Sequence, residues 1–379
     1  MDKQRITIVT AAFTFLFLST GVVSSAPQKR KAPPTRKFDA PGAPKFVRLD
    51  QKPGQNPPLD VDGNFLIGPE YSSAPENKVI DGVPQGKIKQ FTIDSKDTKL
   101  LNPGIARKVF GTVDPNNPRT LIVETHEIDY QRQITVYIPT QYKAGTEAPF
   151  MVIHDGPKGK PNYSVPRILN NLIHEKRVPA MIAIMVANGG GDAQGHERGK
   201  EYDTMSGLYA EYIETEVLPR VEKNCDVKLT KDPNGRAAMG SSSGGSAALA
   251  MAWYRTDLYH RVLTTSGTFV NQQWPFNPET PGGAWDFHET IIPNSPKKPI
   301  RIFLAVGDRD NFNPNVMRDG MHDWVEANHR MAKVLKAKGY PYQYLFCQDS
   351  GHGVRNAKQQ FLPHAIEWVW RGYEAGSGE

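Results

Sequence analysis

Residues Arg236–Gly245 read RAAMGSSSGG, and the fold turns on which of the three consecutive serines sits between two glycines at the right distance. A run of Ser and Gly is ordinarily a flexible linker. A sharp strand-to-helix turn that presents a serine requires G-x-S-x-G instead, because a side chain two residues before or after the serine collides across the turn. For Ser241 the flanking positions are Met239 and Ser243, and for Ser243 the upstream position is Ser241, so both fail. For Ser242 they are Gly240 and Gly244.

The context has the required order. Arg236–Met239 is a short apolar strand candidate, and Ser246–Trp253 is rich in alanine, a strong helix former whose small side chain lets a helix lie close on a sheet. Outward from this centre, Phe150–Ile153, Met181–Ala187, Ile302–Val306 and Tyr342–Phe346 are unbroken apolar runs, as parallel strands covered on both faces require. Phe91–Ile93, Leu121–Val123 and Ile134–Ile138 predict an antiparallel start to the same sheet. Helical spacing runs over Thr204–Asn224, with Pro219 expected to kink or end it, and over Met317–Lys338, stopped by Gly339. Strands alternating with helices predict an α/β fold with a mostly parallel central sheet and helices on both faces.

A turn serine of this kind needs a base and an orienting acid, which follow it in the chain order Ser, acid, His. His126, His154, His174 and His196 precede the serine, and His260 and His288 precede the acid-bearing strand. His322 and His329 have the spacing of a helix face, and His364 follows Pro363 in the first turn expected of a terminal helix. His352 is left, in Asp349–Gly353, a glycine-flanked loop directly after Tyr342–Phe346. The acid should leave the preceding strand, where Gly307-Asp308-Arg309-Asp310 offers two; Asp310 is preferred for its reach, Asp308 is read as holding the loop, and Asp323 is the remaining alternative. Two N–H donors are expected for an oxyanion: Ser243, next to the nucleophile, and one from the loop after Phe150–Ile153, where Pro157 has no N–H and so leaves Gly156 or Lys158, of which Gly156 is preferred.

Composition bounds the rest. The 379 residues, 38% hydrophobic, suffice for one large packed domain. Residues 1–26 place Lys3 and Arg5 before an apolar run and end in Ser24, Ser25 and Ala26, the pattern of a signal peptide, so the body is expected to be exported, periplasmic or extracellular, without stable membrane insertion after cleavage. The net charge of +6 is carried by residues 27–48; residues 1–26 hold +1 and the remainder −1. A near-neutral body has no basic surplus for nucleic acid. Residues 27–85 are read as a Pro-rich, basic linker, 86–374 as the catalytic domain and 375–379 as a flexible tail. Cys225 and Cys347 are expected at opposite ends of the sheet and unpaired; no zinc spacing occurs, and Asp60-Val-Asp62-Gly63 is too short for a calcium loop, so neither metal nor cofactor is expected.

Val152-Ile-His-Asp-Gly156, Gly240-Ser-Ser-Ser-Gly244, Gly307-Asp-Arg-Asp310 and Ser350-Gly-His352, with Arg198, Glu201-Tyr202 and Asp323-Trp324 to Asn328 between them, resemble the esterase family that groups enterochelin, feruloyl and acetylxylan esterases with esterase D and mycolyltransferase relatives. The resemblance covers roughly residues 86–374. It implies an α/β-hydrolase fold and carries a Ser-His-Asp triad onto Ser242, His352 and Asp310, its Gly-x-x-Asp pattern favouring Asp310. It places Arg198, Glu201 and Tyr202 at the pocket wall or in loop ordering. The separate β-rich domain of enterochelin esterases has no room here, which argues against siderophore hydrolysis. Acyl specificity is expected in the connection Phe269–Pro299, where Trp274 is a candidate for gripping a sugar ring or aryl ester. The reading is a serine esterase acting on a small-molecule or carbohydrate ester; a mycolyltransferase-like acyltransferase and a silent binding protein are the alternatives. Oligomeric state is left open.

Overall fold

The computed structural model describes residues 32–374 apart from 110, 163, 315, 316 and 318. The expected signal peptide and C-terminal tail lie outside the described residues. The described residues from 33 to 374 form one compact unit. Its centre is a ten-stranded sheet. In chain order the strands are β1 (Val47–Arg48), β2 (Gly63–Ile67), β3 (Lys87–Asp94), β4 (Gln131–Ile138), β5 (Phe150–His154), β6 (Ile182–Val186), β7 (Arg236–Ser241), β8 (Arg261–Thr265), β9 (Arg301–Arg309) and β10 (Tyr342–Gly351). They lie in the order β1-β2-β10-β9-β8-β7-β5-β6-β4-β3, and only β4 runs against the others. The principal helices are α1 (Ser164–His174), α2 (Glu197–Tyr202), α3 (Leu208–Tyr212), α4 (Leu218–Cys225), α5 (Ser243–Tyr254), α6 (Trp324–Ala337) and α7 (Arg355–Trp370).

Every residue of β5, β6 and β8 is buried, because both sheet faces are covered and each carries its own apolar core. This is an α/β-hydrolase fold. Strand β8, RVLTT, was not among the expected strands: two threonines and an arginine dilute its apolar signal, and only its place between β7 and β9 buries it.

Several expectations are corrected. Residues 27–85 are not a linker throughout. Phe65, Leu66 and Ile67 of β2 are fully buried, since β2 lies between β1 and β10 and pairs in parallel with both. Upstream, the Arg36 N–H donates to the Asp308 carbonyl at 2.7 Å, Arg36 pairs with Asp323, and Phe46 stacks on Phe346 at 5.4 Å. Leu121 and Ile122 belong not to the main sheet but to a small hairpin, Asn117–Ile122 against Thr112–Asp114.

The helix expected from Met317 begins at Trp324, because Asp323 accepts from the Val325 and Glu326 N–H groups and caps it. In the Thr204–Asn224 stretch the helix starts at Leu208 and passes Pro219 through a π-helical turn over Ile213–Val217, so proline falls in the opening turn of α4 where its missing N–H costs little. Pro363 lies inside α7, placing His364 mid-helix with its Nε2 2.8 Å from Gln343 Oε1. Cys225 and Cys347 are both buried and free. Among the described residues no helix is long and apolar enough to cross a membrane, and no cluster of His, Cys, Asp or Glu has metal-holding geometry.

Candidate active site

Three strand ends converge. Ser242 follows β7 directly, Asp310 follows β9, and His352 follows β10, so all three emerge at the carboxyl edge of the parallel sheet, where open α/β sheets form their crevice. Ser242 has φ 58° and ψ −133°, a conformation that costs an ordinary residue strain. It is held by its own backbone: its N–H donates to the Thr265 carbonyl at 3.0 Å, and its carbonyl accepts from Gly245 at 2.8 Å and Thr268 at 3.1 Å. His154 secures the turn from below, its Nδ1–H donating to the Gly244 carbonyl at 2.7 Å; burial pushes that imidazole down to about 4 and keeps it neutral.

From the strained serine a hydrogen-bonded line runs inward. His352 Nε2 lies 2.9 Å from Ser242 Oγ, and His352 Nδ1 lies 2.6 Å from Asp310 Oδ1. Asp310 is wholly buried and otherwise satisfied: the Asn311 N–H donates to Oδ1 at 2.7 Å and the Ser266 hydroxyl donates to Oδ2. Ser266 also accepts from the Gly353 N–H at 2.8 Å, tying the acid to the loop after the imidazole. Asp308 accepts from the Asp349 and Ser350 N–H groups, both at 3.0 Å, and so clamps the histidine loop rather than touching the ring. Asp323, the alternative acid, is occupied capping α6. Trp324 meets the His352 ring edge-on, centroids 6.0 Å apart, while its indole N–H donates to Thr268 Oγ1 at 3.1 Å.

Ser243 opens α5, where helix geometry leaves its N–H without an intrahelical acceptor. Gly156 is corrected as a second donor: its N–H is committed to the Val186 carbonyl at 2.9 Å. The residue is glycine because a Cβ there would lie 2.7 Å from the Met185 carbonyl carbon.

The cleft over the serine has a volume of about 490 Å³ and is walled on one side by Asp155, Asn188, Asp192 and Arg198 and on another by Arg355 and Lys358. Arg198 grips Asp155 with both arms of its fork, at 2.9 and 2.8 Å. Burial alone would raise the Asp155 carboxyl, but the Arg198 guanidinium holds it below its ordinary value.

Comparison with known proteins is decisive at the family level: residues 125–367 match the model of the family described as "Putative esterase". The chain belongs to that esterase family. No curated protein matches the sequence. Among solved structures, the CE1 ferulic acid esterase of Anaeromyces mucronatus, determined without substrate, aligns over 79% of this chain and 96% of its own at 13% identity and TM-score 0.50. Its complex with ferulic acid aligns over the same shares at 14% identity and TM-score 0.50. The enterobactin esterase of Shigella flexneri covers 63% of this chain and 55% of its own at 18% identity and TM-score 0.46. The ferulic acid esterase structures share the fold.

Within this esterase-family chain, the sequence-selected wall residues separate. Arg198 lines the cleft. Glu201 does not: it is fully buried, paired with Arg132 and accepting the Gly189 N–H at 3.1 Å, so it orders the loop behind the wall. Tyr202 is likewise buried, its hydroxyl accepting the Asp155 N–H at 3.1 Å. Trp274 is absent from the cleft lining, its indole N–H being spent on the Leu121 carbonyl at 3.2 Å. Sequence reasoning missed Ser266, Thr268, Arg355 and Lys358, none of which carries a motif; Ser266 and Thr268 follow β8, the strand whose apolar signal was too dilute to disclose it.

Proposed function

We propose that this protein is an exported serine carboxylic-ester hydrolase acting through an acyl-enzyme on sugar or aromatic acyl esters. The observation that carries the reading is the unbroken line Ser242 Oγ, His352, Asp310, with 2.9 and 2.6 Å links. Asp310 accepts the Nδ1–H and fixes the tautomer that leaves Nε2 as the acceptor for the serine proton. Ser242 Oγ attacks the carbonyl carbon as His352 takes its proton; the Ser243 N–H and the positive end of α5 stabilise the oxyanion. Collapse expels the alcohol, protonated by His352, and water activated by the same imidazole cleaves the acyl-enzyme. Export rests on the leader-like residues 1–26, and the sugar or aromatic acyl class on the resemblance of the site motifs.

The test is labelling by an uncharged fluorophosphonate, beside Ser242→Ala, with hydrolysis of short acyl and feruloyl aryl esters. Labelling and turnover present in the wild type and lost together in the variant support the reading. Their absence in folded wild-type protein overturns it. Product analysis with an added sugar acceptor separates hydrolysis from acyl transfer.

A further inference from the structure

The cleft wall formed by α7 is electrostatically unusual. Arg355 is the first residue of that helix and Lys358 the fourth, and both line the same cleft as Ser242 and His352. Cations are disfavoured at a helix N-terminus, where the unpaired N–H groups already concentrate positive charge. Nothing in the helix offsets this: its first turn holds no acidic residue, and its N-cap, Val354, has no side chain able to cap. Among the described residues neither Arg355 nor Lys358 has an ion-pair partner. The two acids of the cleft belong to the Arg198 side. Asp155 is held in the Arg198 fork, and exposed Asp192 offers its carbonyl to Arg198 Nη1 at 3.0 Å. Burial, and Arg355 beside it, push the Lys358 ammonium down to about 8. Two cations without ion-pair partners, exposed Arg355 and half-buried Lys358, therefore border the cleft that holds Ser242, at the end of a helix whose first turn has no side-chain cap.

We propose that this wall is a subsite for an oxyanion carried by the substrate, a carboxylate, sulfate or phosphate monoester, held by Arg355, Lys358 and the first turn of α7. The proposal rests on the esterase reading and narrows it to anionic esters. An anion there relieves the repulsion between the two side chains and satisfies helix N–H groups, which a neutral ester does not.

The experiment compares matched esters on the full-length mature protein. One arm places the charge on the acyl side, 4-nitrophenyl hemisuccinate against 4-nitrophenyl pentanoate. The other places it on the alcohol side, 4-acetoxybenzoate against its methyl ester. The expected result is a kcat/KM at least tenfold higher for the anionic member of one pair, which identifies the side that faces α7. In Arg355→Gln/Lys358→Met that ratio falls at least tenfold, while uncharged fluorophosphonate still labels Ser242, showing that the fold and nucleophile are intact. Equal turnover of charged and neutral members in the wild type overturns the subsite and leaves the esterase reading standing. A preference that survives in the double variant also overturns it. Failure of the probe to label the wild type overturns the esterase reading itself.

Discussion

Gly240 and Gly244 cross so closely that a Cβ on Gly240 would lie 2.0 Å from the Gly244 carbonyl oxygen. No rotamer relieves a clash between backbone atoms, so the turn that lifts Ser242 exists only with glycine at position 240. Gly244 is less constrained, its Cβ falling 3.0 Å from His154 Cβ.

Gly240→Ala should therefore destabilise the protein by more than about 3 kcal/mol, at or beyond the upper end of ordinary overpacking, and Gly244→Ala by less. Urea unfolding of both variants checks the ranking. Equal stabilities would mean that the elbow is looser than its geometry implies.

Ser242→Ala and His352→Ala should each lower kcat by roughly 10⁴-fold or more, and the double variant little further, because the two act as a unit. Asp310→Asn should cost about 10⁴-fold, through loss of the correct imidazole tautomer. Steady-state kinetics on an aryl ester reads all four.

Ser266 joins Asp310 to the Gly353 N–H. Ser266→Ala removes a hydrogen bond to a charged group, so kcat should fall about 10–100-fold with KM little changed. Since Ser266 touches no substrate, a change confined to KM would argue against this positioning role.

Asp203 is fully enclosed, and burial pushes its carboxyl up to about 7 although the Ser243 hydroxyl donates to it at 3.2 Å. An acid raised in the folded state binds its proton more tightly there than in the unfolded chain. Asp203 therefore lowers stability as pH rises from about 4 to about 7, by on the order of 4 kcal/mol in all. Glu197, also pushed up to about 7 by burial and by Glu201, acts in the same window. Buried His154, lowered to about 4, acts oppositely between pH 4 and 6.5. The clean readout is thus the difference between Asp203→Asn and wild type: the variant should gain relative stability from pH 4 to 7 and hold that gain above. A flat difference would mean that Asp203 is ionised in the folded protein.

The register of Ser242 was readable because its constraint is local: five consecutive residues either clear the turn or collide. His352 and Asp310 were readable because chain order and strand exits restrict the candidates, and the apolar runs Phe150–Ile153 and Tyr342–Phe346 lie on strands β5 and β10. Strand β8 escaped notice because RVLTT is apolar only in part, and β2 because a short strand after a proline-rich segment resembles a linker until a neighbour pairs with it.

The tertiary structure decided what depends on direction and competition. Gly156 was a sound candidate donor by position, but its N–H faces the Val186 carbonyl; Glu201 and Tyr202 stand close in sequence to Arg198, yet helix α2 turns them into the interior while Arg198 reaches the cleft. Arg355 and Lys358 gave no signal at all, since two cations three apart on a helix are ordinary until the fold sets that helix end in the same cleft as Ser242. The register of the Ser242 turn and the chain order of the candidate site residues were open to reading along the chain, because steric exclusion and connectivity act locally. Which side chains face the cleft was settled only by packing, because burial and hydrogen-bond partners come from residues distant in sequence.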